Sequence, residues 1–561
     1  MISLAVLSAI SLHDTIDVEI EVANGSDTVI EDLQITTRRG DTPGDGYPFY
    51  GTRAFPDDLQ PGERATVHMS VPTNLGPEGT LAITEPGAYP LMFALTGTQE
   101  GDPAALADDT ILLNIGEPDT THTVNVIFPI TAPLDIVPGE TGGEPLILKS
   151  ESLAEELAPG GRLDELLDAY LAHGIGCVAL DPGLVHTVER MTEGYTVGER
   201  PSVVKKRQRL RDSWFQEKPE ERAGTGAEDA QAWLDKLQSV DCTIALPWGN
   251  ADLDAVARTH NERLLREAIA GAQFIVSPSG RMSQDIGIPV IVADDQPWSG
   301  QAVAYDAALT QRLRDDDRPF SAAAAVRLAT TKDTVVVLPP DMDPDGARAV
   351  LEEAERYRES PLQPQPGTGY SAAGDPEIAT VEQQAHYVDE LTKILVEDPA
   401  IALTPEGFTR PLMQDLLIAL SEHDDQRLRA NAATLRELRA AVTLLPPGNV
   451  YTRTSASSPL LIVAENGLPL PVDAQILYEA TDATLHTPSS LRIPAKGSIT
   501  ATMTADQQGR SDIRLWLATP EGATISQPVV IAVQTRDGML SVYGLGVAVA
   551  ALGAFALRRK K

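Results

Sequence analysis

Apolar and polar positions change rhythm three times along the chain. Through residues 1–117 they alternate. The stretch DTIDVEIEVANGSDTVIEDLQITTR (14–38) places every second residue on one face, and LQPGERATVHMSV and PGAYPLMFALTG repeat the pattern. A period of two marks strands, because successive side chains point to opposite faces. The turn Asn24-Gly25-Ser26-Asp27 predicts a hairpin between the strands that flank it. Some seven short strands predict an immunoglobulin-like β-sandwich.

Over 120–445 the alternation gives way to short continuous apolar runs: TVNVIFP, IGCVALD, CTIALPW, AQFIVSP, IPVIVADD, DTVVVLPP and AIALTPE. Such runs predict strands buried on both faces, hence parallel. Helical segments separate them, among them ESLAEELAPGGRLDELLDAYLAHG, QAVAYDAALTQRL and DGARAVLEEAERY. The alternation predicts a central (β/α)7-type barrel or an open parallel sheet, closed by a helical region over 405–442. Residues 193–227 read as a polar, locally basic insertion, and 360–376 as a Pro-rich loop. Alternation returns over 446–536 and predicts a second, membrane-proximal β-sandwich.

The last change is at 539–557, where MLSVYGLGVAVAALGAFAL carries no charge and Arg558-Arg559-Lys560-Lys561 follow. In a helix that stretch would span about 28 Å, enough for a bilayer core. The four cations predict a cytoplasmic tail over 558–561 and an extracytoplasmic location for residues 1–538. Export needs a leader, yet MISLAVLSAI has no cationic start and reads as a strand. A true start upstream of Met1 is the expectation that reconciles the two, with a tail-anchored cytosolic protein as the alternative.

Charge sharpens this picture. The 561 residues carry 44 Lys and Arg against 81 Asp and Glu, a net charge of −37. Setting the four tail cations apart leaves −41 on the rest, so nucleic acid is excluded as a partner. Cys177 and Cys242 have no metal-ligand spacing. Each lies near the start of a predicted parallel strand. Two buried free thiols are the expected state, and a disulfide is the alternative if those strands are neighbours outside the cell.

In parallel α/β folds the loops after the strand C-termini build the site. Those positions are Asp181, Trp248, Asn250, Asp252, Ser277, Ser279, Asp294, Asp295, Asp341, Asp343 and Glu406. Trp248, Asn250 and Asp252 are the expected ligand contacts, with the Trp face stacking on sugar. Asp181, Asp252, Asp294 and Asp295 are the candidate catalytic carboxylates, since glycoside hydrolysis needs two of them across one bond. Asp181-Pro182-Gly183 and Asp252-Leu253 also read as helix caps. Asp341, Asp343, Asp345 and Glu352, with Gly346, fit the calcium-loop spacing D-x-D-x-D-G-x5-E. A strand precedes them where that loop has a helix, and Asp343 or Asp345 could equally cap the helix that follows. Otherwise no cofactor is expected. The histidines, His122, His173, His186, His260 and His386 among them, are scattered.

Carried on LAEELAPGGRLDELL, CVALDPGLVHTVERMTEGY, ALPWGNADLDAV (245–256) and VVVLPPDMDPDGA (335–347), the chain resembles a family of actinobacterial membrane-anchored envelope proteins encoded beside the lipid II flippase MurJ. The resemblance implies an exported, single-pass protein with this order of domains. It assigns no activity, so no catalytic residue is carried over. The central region also resembles, more distantly, the seven-stranded barrels of polysaccharide deacetylases and glycoside hydrolases. The T-F-D-D-G strand end and histidine pair are missing, and Asp294-Asp295 is followed by Gln296. A degenerate, non-catalytic barrel is therefore expected, binding envelope glycan or a membrane protein partner such as that flippase. The alternative is a glycan hydrolase or deacetylase using rim carboxylates.

Overall fold

The computed structural model describes residues 2–6, 12, 14–40, 49–74, 80–200, 222–282, 284–367, 376–446, 448, 450–453, 455, 458–507 and 509–535. The expected membrane helix at 539–557, the tail and most of the basic insertion lie outside them. Among the described residues, no helix is long and apolar enough to cross a membrane.

The chain is a mixed α/β protein with several sheets. Near the N-terminus, strands Ile2–Val6, Thr15–Ala23 and Arg64–Pro72 form one antiparallel sheet. Phe49–Ala54, Ile30–Arg39, Gly87–Gln99 and Asp102–Ile115 form another. Alternate residues of both, such as Ile16, Val18, Ile20, Leu33, Ile35, Phe93 and Ile111, pack into one core. The expected hairpin at Asn24 is not formed, since its flanking strands belong to different sheets. Asn24 instead carries the chain across. Its Nδ2 donates to the Thr28 and Leu59 carbonyls, and its Oδ1 accepts from Ser26 N.

The central sheet has eight strands. Their order is Thr334–Val337, Val124–Ile130, Cys177–Leu180, Thr243–Ala245, Ile275–Val276, Val290–Ala293, Gln301–Tyr305 and Gln365–Pro366. All neighbours are parallel except the last pair. The first seven are also consecutive along the chain, except that the latest, Thr334–Val337, pairs with the earliest. Asp306 N, just past the Gln301–Tyr305 strand, donates to the Val335 carbonyl at 2.8 Å, and Thr310 Oγ1 to that of Val337 at 2.7 Å. Ile127, Ala179, Ile244, Val276, Ile291, Val303 and Val337, one from each of the seven, meet in a single cluster. The opposite faces pack on helices, as Val126, Val178 and Val336 do with Leu163, Leu167 and Val350.

Two expectations are corrected here. AIALTPE is no strand: Pro405 starts the helix Pro405–Glu422. The missing strand is QAVAY (301–305), read from sequence as part of a helix. Its alanines favour helix, but Ala302 and Ala304 pair with Val290 and Val292, and the helix begins only at Ala307. A long helix not expected at all, Pro376–Ile394, packs on Pro405–Glu422 and Asp425–Ala440 as a helical layer.

That layer shares its core with two further sheets. One contains Val442–Leu445, Leu460–Asn466, Gly497–Gln507 and Ala483–His486. The other contains Val450–Arg453, Val529–Thr535, Arg510–Ala518, Val472–Ala480 and Leu491–Ile493.

The N-terminal strands are docked on the central region by charge as well as apolar contact. Arg327 donates to both oxygens of Glu353, at 2.9 and 3.1 Å, and to the Gly116 carbonyl at 2.5 Å. Arg318 reaches Asp109 at 2.7 Å, and Leu112 N donates to Ser321. Arg327 and Glu353 are buried, so each needs the other.

Cys177 and Cys242 are joined in a disulfide, with Cα atoms 4.7 Å apart. The expectation of free thiols is overturned because their strands are adjacent. Cys177 opens one strand, Cys242 immediately precedes the next, and Val178 N donates to the Cys242 carbonyl.

Candidate functional site

The strand C-termini hold the polar groups. Asp181 follows Leu180 and starts the helix Pro182–Thr192. Its Oδ1 accepts from Gly183 N at 2.7 Å and Gly249 N at 2.8 Å, while Oδ2 is buried without a hydrogen-bond partner. The residue is 0% exposed, and burial pushes its carboxyl up to about 7 against the opposing pull of the backbone donors. Gly183 is required: a Cβ there would meet Leu134 Cδ1 at 2.8 Å and Gly249 N at 3.0 Å.

Gly249 lies in the short 3-10 turn Trp248–Asn250, which the next strand delivers. Gly249 and Asn250 are both left-handed, with φ of 61° and 52°. A Cβ on Gly249 would press on Ile418 Cγ1 at 3.0 Å, so the turn is seated against the Pro405–Glu422 helix. Trp248 lies within this seat. Its ring packs against the helical layer and is 5.5 Å from the His186 ring, with Nε1 buried and unbonded. Trp248 is only partly buried, and it does not line the cavity that Asn250 reaches. Asn250 faces the other way, into a cavity.

That cavity, about 550 Å³, opens at the mouth of the sheet. Loops after three strands line it with Thr131, Asn250 and Asp341; helices add Glu156, Arg162, Arg314, Ser421 and Glu422. Arg162 ties the first and last of those loops together. It donates to the Thr131 carbonyl at 2.9 Å, the Pro340 carbonyl at 3.2 Å and Glu156 at 2.6 Å. Burial raises the Glu422 carboxyl above its ordinary range, outweighing the Arg427 guanidinium. Behind the wall, fully buried Arg427 donates to Asp415 Oδ1 at 2.6 Å and the Leu134 carbonyl at 3.2 Å. Asp415 Oδ2 accepts from Gly139 N.

Of the sequence candidates, Asn250 and Asp341 are brought together in this cavity. Asp252 is spent capping Leu253–Arg258, accepting from Asp254 N and Ala255 N. Asp294 accepts from Ala307 N, and Asp295 is exposed beside it. Ser277 Oγ donates to the Arg281 carbonyl and Ser279 Oγ accepts from Arg281 N, so both are turn residues. Glu406 sits exposed in the first turn of its helix. Arg162, Arg314, Glu156 and Glu422 escaped the sequence reading, because it followed strand ends and these four project from helices.

The calcium spacing does not make a loop. Pro344–Ala354 is helical, so Asp345 and Glu352 lie along a helix and cannot wrap an ion with Asp341 and Asp343. Asp343 caps that helix through Asp345 N, and Asp345 pairs with Arg348. Among the described residues, no group of three or more His, Cys, Asp or Glu side chains is placed to hold a metal.

No family model matches the chain, and no curated protein matches it in sequence. Solved structures give weak, partial similarity. A β-glucosidase from Listeria innocua matches at 19% identity over 21% of this chain and 16% of its own, with a TM-score of 0.14. A β-glucosidase involved in saponin metabolism from intestinal bacteria gives 18% identity over 20% and 16%, TM-score 0.14. The C-terminal domain of wzt gives 13% over 21% and 71%, TM-score 0.15. The chain thus spans about a sixth of the length of those β-glucosidases. Overlaps this small decide nothing about the reaction.

Proposed function

We propose that the central region is a seven-stranded parallel barrel whose mouth cavity binds a glycan of the bacterial cell envelope without turning it over. The two sets of flanking sheets are read as immunoglobulin-like sandwiches, and the 539–557 segment as a single membrane anchor. What carries the binding reading is the cavity itself. Its wall carries both donors (Arg314, Asn250) and acceptors (Asp341, Glu422), as a polyhydroxylated ligand demands. The disulfide suits an oxidising compartment outside the cytoplasm. A membrane protein partner, the flippase included, would bind elsewhere on the surface.

A hydrolytic reading has one observation in its favour: Glu422, its carboxyl raised by burial, shares the cavity with Asp341. Calorimetry of the full chain with a soluble muropeptide and with chitotetraose tests both readings. Binding that Asn250→Ala and Arg314→Ala each weaken about tenfold, without release of new reducing ends, supports the binder. Reducing ends that disappear in Glu422→Gln and Asp341→Asn would replace it with the hydrolase. No binding of either ligand removes the glycan reading.

A further inference from the structure

Two more cavities lie on the helical layer. The larger, about 660 Å³, runs between Pro376–Ile394 and Asp425–Ala440. Leu428, Ala432 and Leu435 form its floor, and Arg429, Arg436 and Arg439 rise along one side. These three arginines fall on one face of one helix. Arg429 is 3.6 Å from Asp425, Arg436 donates to its own helix at the Ala432 carbonyl, and Arg439 lies over the Tyr387 ring at 5.0 Å. The groove also carries Glu377 and Asp425. Its lining is thus three arginines against two carboxylates, a small positive excess on a chain with a net charge of −37, concentrated at Arg436 and Arg439. All three are Arg, whose planar fork matches phosphate oxygens in pairs.

Arg439 also lines the smaller cavity, about 240 Å³, between the same Pro376–Ile394 helix and residues 519–525. That cavity is apolar in its depth, with Leu391, Ile394 and Ile525. A cationic groove and an apolar pocket therefore meet at one side chain. The chemistry that matches both halves is a phosphate monoester or diester carrying a hydrocarbon chain.

We propose that these joined cavities bind a phosphate-bearing amphiphile. The phosphate sits on Arg436 and Arg439, one helical turn apart, and the chain lies against Leu391, Ile394 and Ile525. Such a phosphate could belong to a membrane lipid headgroup or to a soluble ester.

The test uses the full chain and titrates hexyl phosphate, inorganic phosphate and hexanol by calorimetry. Hexyl phosphate should bind at least tenfold more tightly than either fragment, since only it fills both cavities. The double variant Arg436→Ala/Arg439→Ala, which keeps a good helix former at both positions, should lose that binding at least tenfold. Ala523→Trp, an exposed position on the rim of the smaller cavity, should abolish the advantage over inorganic phosphate and leave phosphate binding itself unchanged. Competition with phosphatidylglycerol vesicles, but not phosphatidylcholine vesicles, assigns the membrane source; no competition assigns the soluble ester. Hexyl phosphate binding no tighter than hexanol, or untouched by the arginine variants, overturns the proposal. So would capture of an acidic peptide on the groove with no hexyl phosphate binding.

Discussion

The two ends of the central parallel strands are built on opposite principles. At the N-terminal end, Cys177 and Cys242 lock neighbouring strands covalently. At the C-terminal end, Asp181 Oδ2, Trp248 Nε1 and Asn250 Oδ1 are buried without hydrogen-bond partners, and two consecutive residues hold left-handed backbone. One end contributes stability and the other consumes it. Stored cost of that kind collects where a molecule binds or reacts, as at the C-terminal ends of parallel strands in α/β folds. The difference supports the strand C-termini as the proposed binding end.

The largest way to break the contrast is at the mouth. Arg427→Met strands the buried Asp415 and should cost about 3–5 kcal/mol, read as a lowered denaturation midpoint. Asp181→Asn tests the stored cost itself. The folded-state pKa of about 7 lies above the unfolded value, so the folded protein binds the proton more tightly. Its stability should therefore fall as pH rises from about 4 to about 7 and level above. The variant should lack that slope, a difference of about 4 kcal/mol across the window in paired urea titrations. A wild type and variant with parallel pH profiles would show that Asp181 is ionised throughout.

At the other end, Cys177→Ser/Cys242→Ser should lose about 2–4 kcal/mol while leaving muropeptide binding unchanged. Weakened binding there would mean that the two ends are coupled. The smallest effect sharpens the contrast: Asn250→Gly keeps the left-handed backbone and removes the amide. It should change stability by less than about 1 kcal/mol and weaken binding nonetheless.

Much of this arrangement was legible in residues. Runs such as VNVIFP and VIVA announce strands buried on both faces, and Asp181 and Asp252 announced helix starts as well as rim positions. What failed did so for physical reasons. QAVAY becomes a strand only through pairing with Val290–Ala293, a contact its alanines do not advertise. Asn24-Gly25 specifies a turn but not which sheet receives the next strand. Asp341 and Asn250 could be placed by following strand ends. Arg162, Arg314 and Glu422 reach the cavity from helices whose positions depend on packing between segments far apart in sequence. The calcium spacing matched in letters, yet the helix starting at Pro344 denies it the required curve.

Glu353 accepts from Arg327, from Asn114 and from Tyr357, while Arg327 also holds the Gly116 carbonyl. The junction between the N-terminal strands and the central region is thus fastened on both sides of Ile115, where a linker would otherwise bend. Mechanically it is a weld and not a hinge. A pulling force on the first strands should pass through Arg327 and Glu353 into the Pro319–Ala329 and Pro344–Ala354 helices before any part of the chain swivels. In single-molecule extension, the Glu353→Gln chain should yield at lower force than wild type, and its N-terminal strands should separate first.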